Sequence, residues 1–163
     1  MLLAVDVGNT PTVLGLYDGE RLAEHWRLAT EAHRTGDELG ALYGRFLDLE
    51  SLTGICLSST VPRLVREYEE FAERWAEAPL LVVRPGMRSG ITMRYDDPRE
   101  VGPDRIVERI RDELEADAQA VATGGLAELI VPHARTIGRV DPFLTLEGLR
   151  IVWERNPEPI SSA

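Results

Sequence analysis

Runs of apolar residues change their spacing several times along the chain, and each change predicts a new element. Residues 2–8, 11–17 and 21–29 have the length of strands and are separated by tight polar turns, which is typical of a three-strand meander. From Asp37 to Leu49 the apolar positions recur at helical spacing, which predicts a helix. Thr53–Thr60 is again an apolar run of strand length. The chain therefore begins with strands and continues with alternating helices and strands.

One more helix and one more strand follow. Pro62 indicates a helix start, because proline is favoured at the first helical position. Pro79–Val83 has the length of a buried strand. The order is strand, strand, strand, helix, strand, helix, strand. Since parallel strands are joined by right-handed crossovers, we expect an α/β fold with one mixed five-strand sheet, strand order 3-2-1-4-5, and flanking helices.

The remaining half of the chain has a weaker pattern. Residues 85–103 are rich in proline, glycine and charged residues, which predicts a long connecting loop. We expect helices at 104–116 and 145–155 to pack on the first sheet, because each has an apolar face. A short strand at 120–123 is expected to pair with another chain or to lie at a sheet edge.

Composition narrows the class of protein. The chain has 163 residues, 44% of them hydrophobic, and a net charge of −10. This acidity argues against a nucleic-acid partner, which would need a basic face. No apolar run reaches the length of a membrane span, and the start has no basic region like that of a signal peptide. The single Cys56 lies in an apolar run and allows no disulfide framework, so we expect a cytoplasmic protein without a membrane partner.

The first polar turn carries candidate chemistry. Asp6 ends the first predicted strand, and Gly8, Asn9 and Thr10 form the turn that follows. A carboxylate at this position can hold Mg²⁺, directly or through water, while turn N–H groups and the hydroxyls of Thr10 and Thr12 face phosphate oxygens. The alternative is a plain hairpin without a ligand, whose turn is polar because turns generally carry polar residues.

A second candidate follows the long loop. Asp104 and Arg105 stand at the start of the helix predicted for residues 104–116. Free N–H groups of a helix start, an arginine and a possible carboxylate base make an anion-and-hydroxyl site. Helix capping explains the same residues, because acidic side chains favour the first turn. The chain has no lysine, so any cation at an anionic site is arginine or protonated histidine.

Several segments, in this order, resemble type III pantothenate kinases. The resemblance covers nearly the whole chain, and its motifs are specific in combination. They are Asp6–Thr10, Arg27–Thr30 with His33–Thr35, Ser58–Pro62, Tyr95–Pro98 with Val101–Arg105, Val121–Ala127, Val140–Pro142 and Leu144–Leu149.

The resemblance implies a ribonuclease H-like (actin-like) fold and ATP-dependent phosphorylation of pantothenate to 4'-phosphopantothenate, the first step of coenzyme A biosynthesis. By the same resemblance Asp104 is the base that deprotonates the pantothenate hydroxyl, and Asp6 holds Mg²⁺ with the nucleotide. The partners implied are ATP, pantothenate and a second copy of the chain in a homodimer. The residues implied at the ATP phosphates and nucleoside are Asp6, Val7, Gly8, Asn9, Thr10, Thr12, Val13, Gly124 and Gly125. Those implied at pantothenate are Tyr95, Gly102, Pro103, Asp104 and Arg105.

The chain also departs from the family pattern. Members are longer and continue after the Asp104 helix into a second half-domain with a second phosphate motif and an aspartate for a monovalent cation (K⁺ or NH₄⁺). Both are missing here. Ile106 and Val107 run straight into Glu108, which resembles the start of a later family helix, so we infer an internal deletion, natural or engineered. The predicted division is into residues 1–103, a half-domain with its loop, and 104–163, a remnant of the second half.

These departures predict weak or absent kinase activity. Removing one half-domain removes a wall of the nucleotide cleft and one of two phosphate loops. Pro11 stands where the family more often has asparagine and deletes one backbone donor from the surviving turn. The alternative function is a non-catalytic folded module, or an engineered minimal version of the fold, derived from the same family.

Overall fold

The computed structural model of the chain describes residues 1–84, 87, 107, 111–112, 118–125 and 127–156. They fall into two units. The first contains residues 1–90 and 146–163, and the second contains residues 91–145. The division into residues 1–103 and 104–163 stays a prediction.

The first unit is built on one five-strand sheet in the order β3-β2-β1-β4-β5. Its antiparallel half is the meander β1 (Leu2–Val7), β2 (Pro11–Asp18) and β3 (Arg21–Ala29). Its parallel half pairs β1 with β4 (Gly54–Ser59) and β4 with β5 (Leu80–Val82). The predicted strands, the mixed sheet and the strand order are confirmed.

Two helices connect the parallel strands. Helix α1 (Gly36–Tyr43) begins at a capping box, in which Thr35 and Glu38 satisfy each other's backbone N–H groups. Helix α2 (Pro62–Phe71) has proline in its first turn, as predicted, and continues as a π-helical turn, Ala72–Ala76.

The predicted helix from Asp37 to Leu49 is too long. Helix α1 ends at Tyr43, where the backbone changes to tighter bonds between residues three apart. The Arg45 N–H donates to the Leu42 carbonyl, and the Phe46 N–H donates to the Tyr43 carbonyl. The turn buries Leu47 and brings the Phe46 ring to 5.1 Å from the Trp26 ring. Burial of these apolar side chains stabilises the turn over another helical turn, and a short 3-10 helix follows at Leu49–Ser51.

The core of the first unit lies between the sheet and these two helices. Leu3, Val5 and Val7 alternate along β1 and are fully buried on this face. The helices contribute an aromatic cluster, in which the Tyr43 and Phe71 rings meet edge to face at 5.4 Å. Each large side chain buried here stabilises the fold by roughly 1.5–3 kcal/mol.

The opposite face of the sheet is covered by the last helix, α4 (Leu144–Arg155), whose residues from Leu146 onward belong to the first unit. Leu146 packs against Gly15, where an added Cβ would lie 2.8 Å from the leucine Cδ1. Trp153 packs against Gly54, where an added Cβ would lie 2.2 Å from the indole ring. The expectation that residues 145–155 pack on the first sheet is therefore confirmed.

The second unit contains a two-strand parallel sheet of β6 (Ala120–Ala122) and β7 (Ile137–Val140), with the short helix α3 (Ala127–Ile130) between them. The strand expected at 120–123 thus lies at the edge of a two-strand sheet and pairs with β7. Sequence reasoning missed β7 because Gly138 and Arg139 interrupt its apolar run.

Part of the predicted helix at 104–116 lies outside the described residues. Val107, Arg111 and Asp112 are helical, and Arg111 donates to the carbonyls of Ala118 and Thr136. Its continuity across the proposed join, and its packing, stay predictions. Within the described ranges, no helix has the length and apolarity needed to cross a membrane.

Candidate phosphate-binding site

Asp6 lies near the carboxyl end of β1, directly beside Val13 of β2 and Ser58 of β4. Strand alternation places its side chain on the sheet face opposite Val5 and Val7. Partial burial raises the pKa of this carboxyl above its ordinary value, and a hydrogen bond with the Ser58 side chain partly offsets the rise. The site therefore holds one partly shielded carboxylate at a strand end, as the sequence predicts.

The turn after Asp6 is tight. The Gly8 N–H donates to the Pro11 carbonyl at 3.0 Å, and an added Cβ on Gly8 would lie only 3.0 Å from the same oxygen. A close backbone approach therefore favours glycine at this position. Asn9 and Thr10 are exposed at the tip of the turn, where a ligand can reach them.

Hydrogen bonds fasten this turn to strands on both sides. On the β3 side, the Thr30 N–H donates to the Thr10 carbonyl at 2.7 Å. On the β4 side, Thr60 donates to the Val7 carbonyl from its N–H at 2.9 Å and from its hydroxyl at 3.1 Å. The Thr60 hydroxyl also lies 3.3 Å from the Asn9 side-chain oxygen. The turn is therefore held in place before any ligand arrives.

Thr30 and Thr60 were not among the predicted site residues. Both stand immediately after a strand, in segments that carry the family resemblance, and that position was the available signal. Their partners could not be read from the sequence, because the contacts join residues that are 20 and 53 positions apart.

Thr12 occupies a different environment from the rest of the turn. Its side chain is buried, and its hydroxyl lies 2.9 Å from the Thr30 hydroxyl. It lines a small cavity with Tyr43 and Tyr68 on the helix-covered face of the sheet. Val13 faces the other side with Asp6. A phosphate role for Thr12 requires its hydroxyl to exchange Thr30 for the ligand, and it stays a prediction.

Pro11 begins β2, a position where proline is tolerated in a strand. Its carbonyl is used by Gly8, but its nitrogen has no hydrogen to donate. The turn therefore presents one N–H fewer than it would with another residue at this position.

A divalent ion fits the donor set as a companion of a phosphate ligand. Among the described residues no three His, Cys, Asp or Glu side chains cluster as a metal site. Mg²⁺, however, keeps several waters and commonly takes only one or two carboxylates in addition to substrate phosphates. The single Asp6 carboxylate suits this mode of binding.

The other predicted residues lie elsewhere in the chain. Gly124 and Gly125 are exposed in the second unit, and Gly124 has a φ of +94°, which favours glycine. The Gly124 carbonyl accepts from the Ala127 N–H at 3.1 Å at the start of α3. Tyr95, Gly102, Pro103, Asp104 and Arg105 lie outside the described residues.

Cys56 is fully buried in β4, and burial raises the pKa of its thiol to about 12. The thiol is therefore neutral at physiological pH, and its environment is typical of packing, not of a reactive nucleophile.

The mixed sheet with its carboxylate-bearing hairpin defines a protein of the ribonuclease H-like, actin-like kinase fold. A family model described as type III pantothenate kinase matches residues 2–120, well over half of the chain. The chain belongs to the type III pantothenate kinase family, which confirms the resemblance.

Similar proteins carry the same family name. The type III pantothenate kinase of Acidothermus cellulolyticus is 32% identical, with 96% of this chain and 99% of that protein covered. The type III pantothenate kinase of Frankia alni is 31% identical, with 96% and 100% covered. That of Myxococcus xanthus is 30% identical, with 96% and 99% covered.

The alignments also show that this chain is shorter than its relatives. The match to the Acidothermus cellulolyticus protein extends over 253 positions, whereas this chain has 163 residues. Since nearly the whole of both proteins is covered, the positions without a counterpart lie inside the alignment. An internal shortening is therefore supported, and its place between Val107 and Glu108 stays a prediction.

Proposed function

We propose that this chain is a pantothenate kinase that retains one nucleotide-phosphate turn and phosphorylates pantothenate weakly or not at all. The observation that carries the proposal is Asp6, a partly buried carboxylate beside a turn that is fastened on both sides, in a chain of this family. In this role Asp6 binds Mg²⁺ with the nucleotide, and the Gly8–Thr10 turn faces the phosphate oxygens. The Mg²⁺ supplies charge neutralisation at the phosphates.

The reduced activity follows from the missing parts. Phosphoryl transfer depends almost entirely on positioning and charge stabilisation, so each lost donor acts directly on the rate. Removing a single preorganised donor costs roughly a hundredfold or more in turnover. The second phosphate motif and the monovalent-cation ligand are absent from the sequence, and Pro11 removes a further donor. Several such losses together bring turnover close to background.

The pantothenate side of the proposal rests on the family. Asp104 acts as the base for the pantothenate hydroxyl, and Tyr95, Gly102, Pro103 and Arg105 surround the substrate. Gly124 and Gly125 lie near the nucleoside. The chain works as a homodimer in the cytoplasm.

A coupled kinase assay with pantothenate and Mg–ATP tests the activity. We expect turnover at least about a hundredfold below the ~10 s⁻¹ that is usual for enzymes. Asp6→Asn and Asp104→Asn should each abolish any residual turnover, since one anchors the metal and the other accepts the proton. Asp18→Asn is the matched control, because Asp18 is exposed at the far end of the same hairpin and pairs only with nearby Arg21 in the described structure.

Two results would contradict this assignment. Turnover near ~10 s⁻¹ would refute the reduced activity. Residual turnover that Asp104→Asn leaves unchanged would refute the assignment of the base.

The second candidate function is a non-catalytic module of the same family, whether natural or an engineered minimal version of the fold. It is favoured by the shortening together with a first unit that has its own sheet and core. An intact, longer gene of this family in the same source would support it. Isothermal titration that shows no binding of Mg–ATP, with or without pantothenate, would support it as well.

A further inference from the structure

Two segments that follow different strands meet beside the phosphate turn. His33 follows β3 and Arg63 lies in the first turn of α2, after β4. An Arg63 guanidinium nitrogen lies 2.8 Å from the His33 Nδ1. In the sheet, β2 and β1 lie between β3 and β4. Strands β3 and β4 both end at the edge where β1 turns into β2, since Ala29 of β3 pairs with Pro11 and Ser59 of β4 pairs with Val7.

Both segments are also tied to that turn. Three residues before His33, Thr30 donates to the Thr10 carbonyl, and three residues before Arg63, Thr60 donates to the Val7 carbonyl. With the Arg63–His33 contact, these bonds complete a closed loop of contacts that includes the turn. We call Thr30, His33, Thr60 and Arg63 the collar. His33 and Arg63 each follow, by three residues, a residue that is bonded to the turn, so each Cα lies within about 11 Å of the Cα of that residue.

Arg63 has donors left to offer. It is exposed, and its contact with His33 uses one guanidinium nitrogen of a group with five N–H donors. Since an arginine has no acceptor, the His33 Nδ1 must accept this hydrogen bond, and the ring proton then sits on Nε2. No described carboxylate forms an ion pair with Arg63. Its remaining N–H groups suit the planar recognition of phosphate oxygens.

We propose that Arg63, held in position by His33, is the cationic phosphate ligand of this site and binds the polyphosphate of the nucleotide. The inference deepens the proposed function and rests on it for the identity of the nucleotide. It also accounts for how a chain without lysine places a positive charge at its phosphate turn. Arg63 is the binding residue, and His33 is a positioning residue that acts through it.

Isothermal titration of the whole chain with inorganic tripolyphosphate, without metal, tests the inference directly. We expect Arg63→Gln to weaken binding about tenfold or more, because it removes a charge-assisted contact. Arg66→Gln is the matched control, since Arg66 is exposed one turn further along α2 and should change affinity less than about twofold. Thermal unfolding of both variants checks that they remain folded.

His33 is tested by rescue and by spectroscopy. His33→Ala should weaken tripolyphosphate binding, and His33→Gln should restore part of the affinity, because a glutamine oxygen can also accept from Arg63. In ¹⁵N NMR the His33 ring should show the Nε2–H tautomer in the wild type, and Arg63→Gln should shift the Nδ1 signal. A merely structural histidine would show neither the rescue nor the link to Arg63.

The outcomes separate this inference from the proposed function. Equal affinities of wild type, Arg63→Gln and Arg66→Gln, or no tripolyphosphate binding by the wild type, overturn the inference. Loss of Mg–ATP binding in Asp6→Asn with normal binding in Arg63→Gln overturns it too, while leaving the proposed function standing. Loss of tripolyphosphate binding in Arg63→Gln with normal Mg–ATP binding in Asp6→Asn supports it and contradicts the role given to Asp6.

Discussion

At the residue scale, Asp6 is a partly buried acid whose environment differs from that of an acid on the surface. Burial raises its pKa, and Ser58 offsets this only in part. The ionised form is therefore less stable in the folded protein than in water. Ionisable side chains with shifted pKa values cluster at functional sites. At such a site a bound cation offsets the unfavourable free energy of burying the carboxylate charge.

Because the folded pKa is raised, Asp6 stabilises the fold only at pH values where it is protonated, and this contribution is lost as pH rises through the folded pKa. Asp6→Asn should therefore raise the stability at pH 7 and have almost no effect near pH 3. Urea denaturation at both pH values measures this, with Asp18→Asn as the exposed control. If the variant is less stable than wild type at pH 7, the hydrogen bond with Ser58 contributes more to stability than burial of the Asp6 charge costs.

The Tyr43 and Tyr68 hydroxyls form a buried pair, 2.5 Å apart, between α1 and α2. Burial raises the pKa of Tyr43 to about 12 and that of Tyr68 well above its ordinary value, so both stay neutral at physiological pH. Tyr43→Phe or Tyr68→Phe should each cost about 1–3 kcal/mol, because each leaves a buried hydroxyl without its partner.

The double variant Tyr43→Phe/Tyr68→Phe tests the coupling. It should cost clearly less than the sum of the two single changes, since no hydroxyl is then left unpaired. Guanidinium unfolding of the four proteins completes the cycle. Strict additivity would mean that the two hydroxyls do not depend on each other.

At the element scale, local patterns predict most boundaries, and side-chain burial decides the rest. The five strands of the first sheet and the start of α2 were predicted, because strand-length apolar runs and an N-terminal proline are local signals. The predicted end of helix α1 was wrong, because the chain leaves the helix before Phe46 and Leu47. The Phe46 ring packs against Trp26, and Leu47 joins the core. That choice depends on a strand 20 residues away.

Helix α4 gives a direct test of packing on the second face of the sheet. Leu146 is 1% exposed against Gly15, whereas Leu144 in the same helix is 41% exposed. Leu146→Ala should destabilise the first unit by about 2–4 kcal/mol through lost burial and a residual cavity. Leu144→Ala, the matched control, should cost less than about 1 kcal/mol. Equal losses, measured by chemical denaturation, would mean that α4 does not cover this face in solution.

At the scale of the whole molecule, the chain is a shortened member of a kinase family. The described structure preserves the five-strand sheet, and the second unit keeps only a two-strand sheet and short helices among its described residues. Large apolar side chains are exposed in this second unit at Val121, Leu129 and Leu144. Leu129 is the most exposed of the three and is a candidate contact for a partner subunit.

We expect a homodimer, because the family resemblance implies one. Light scattering coupled to size exclusion should give about twice the 18.2 kDa of one chain. Leu129→Glu should shift the protein toward the monomer, because Leu129 is 69% exposed and a charge there disfavours an apolar interface. Glu128→Gln, one residue away on the same short helix, is the control. A wild-type monomer at high concentration would contradict the expectation.

The sequence by itself determined the five strands of the first sheet and their order, the family, and the position of Asp6 and its turn. These follow from local periodicity, turn residues and short motifs. Only the tertiary structure decided which residues fasten that turn. The bonds from Thr30 and Thr60, the burial of Thr12 and the contact between His33 and Arg63 all join segments that are distant in sequence. The bonds from Thr30 and Thr60 form because β3 lies beside β2 and β4 lies beside β1, so that both strands end next to the turn. The pairing of β6 with β7 likewise depended on contacts between distant segments.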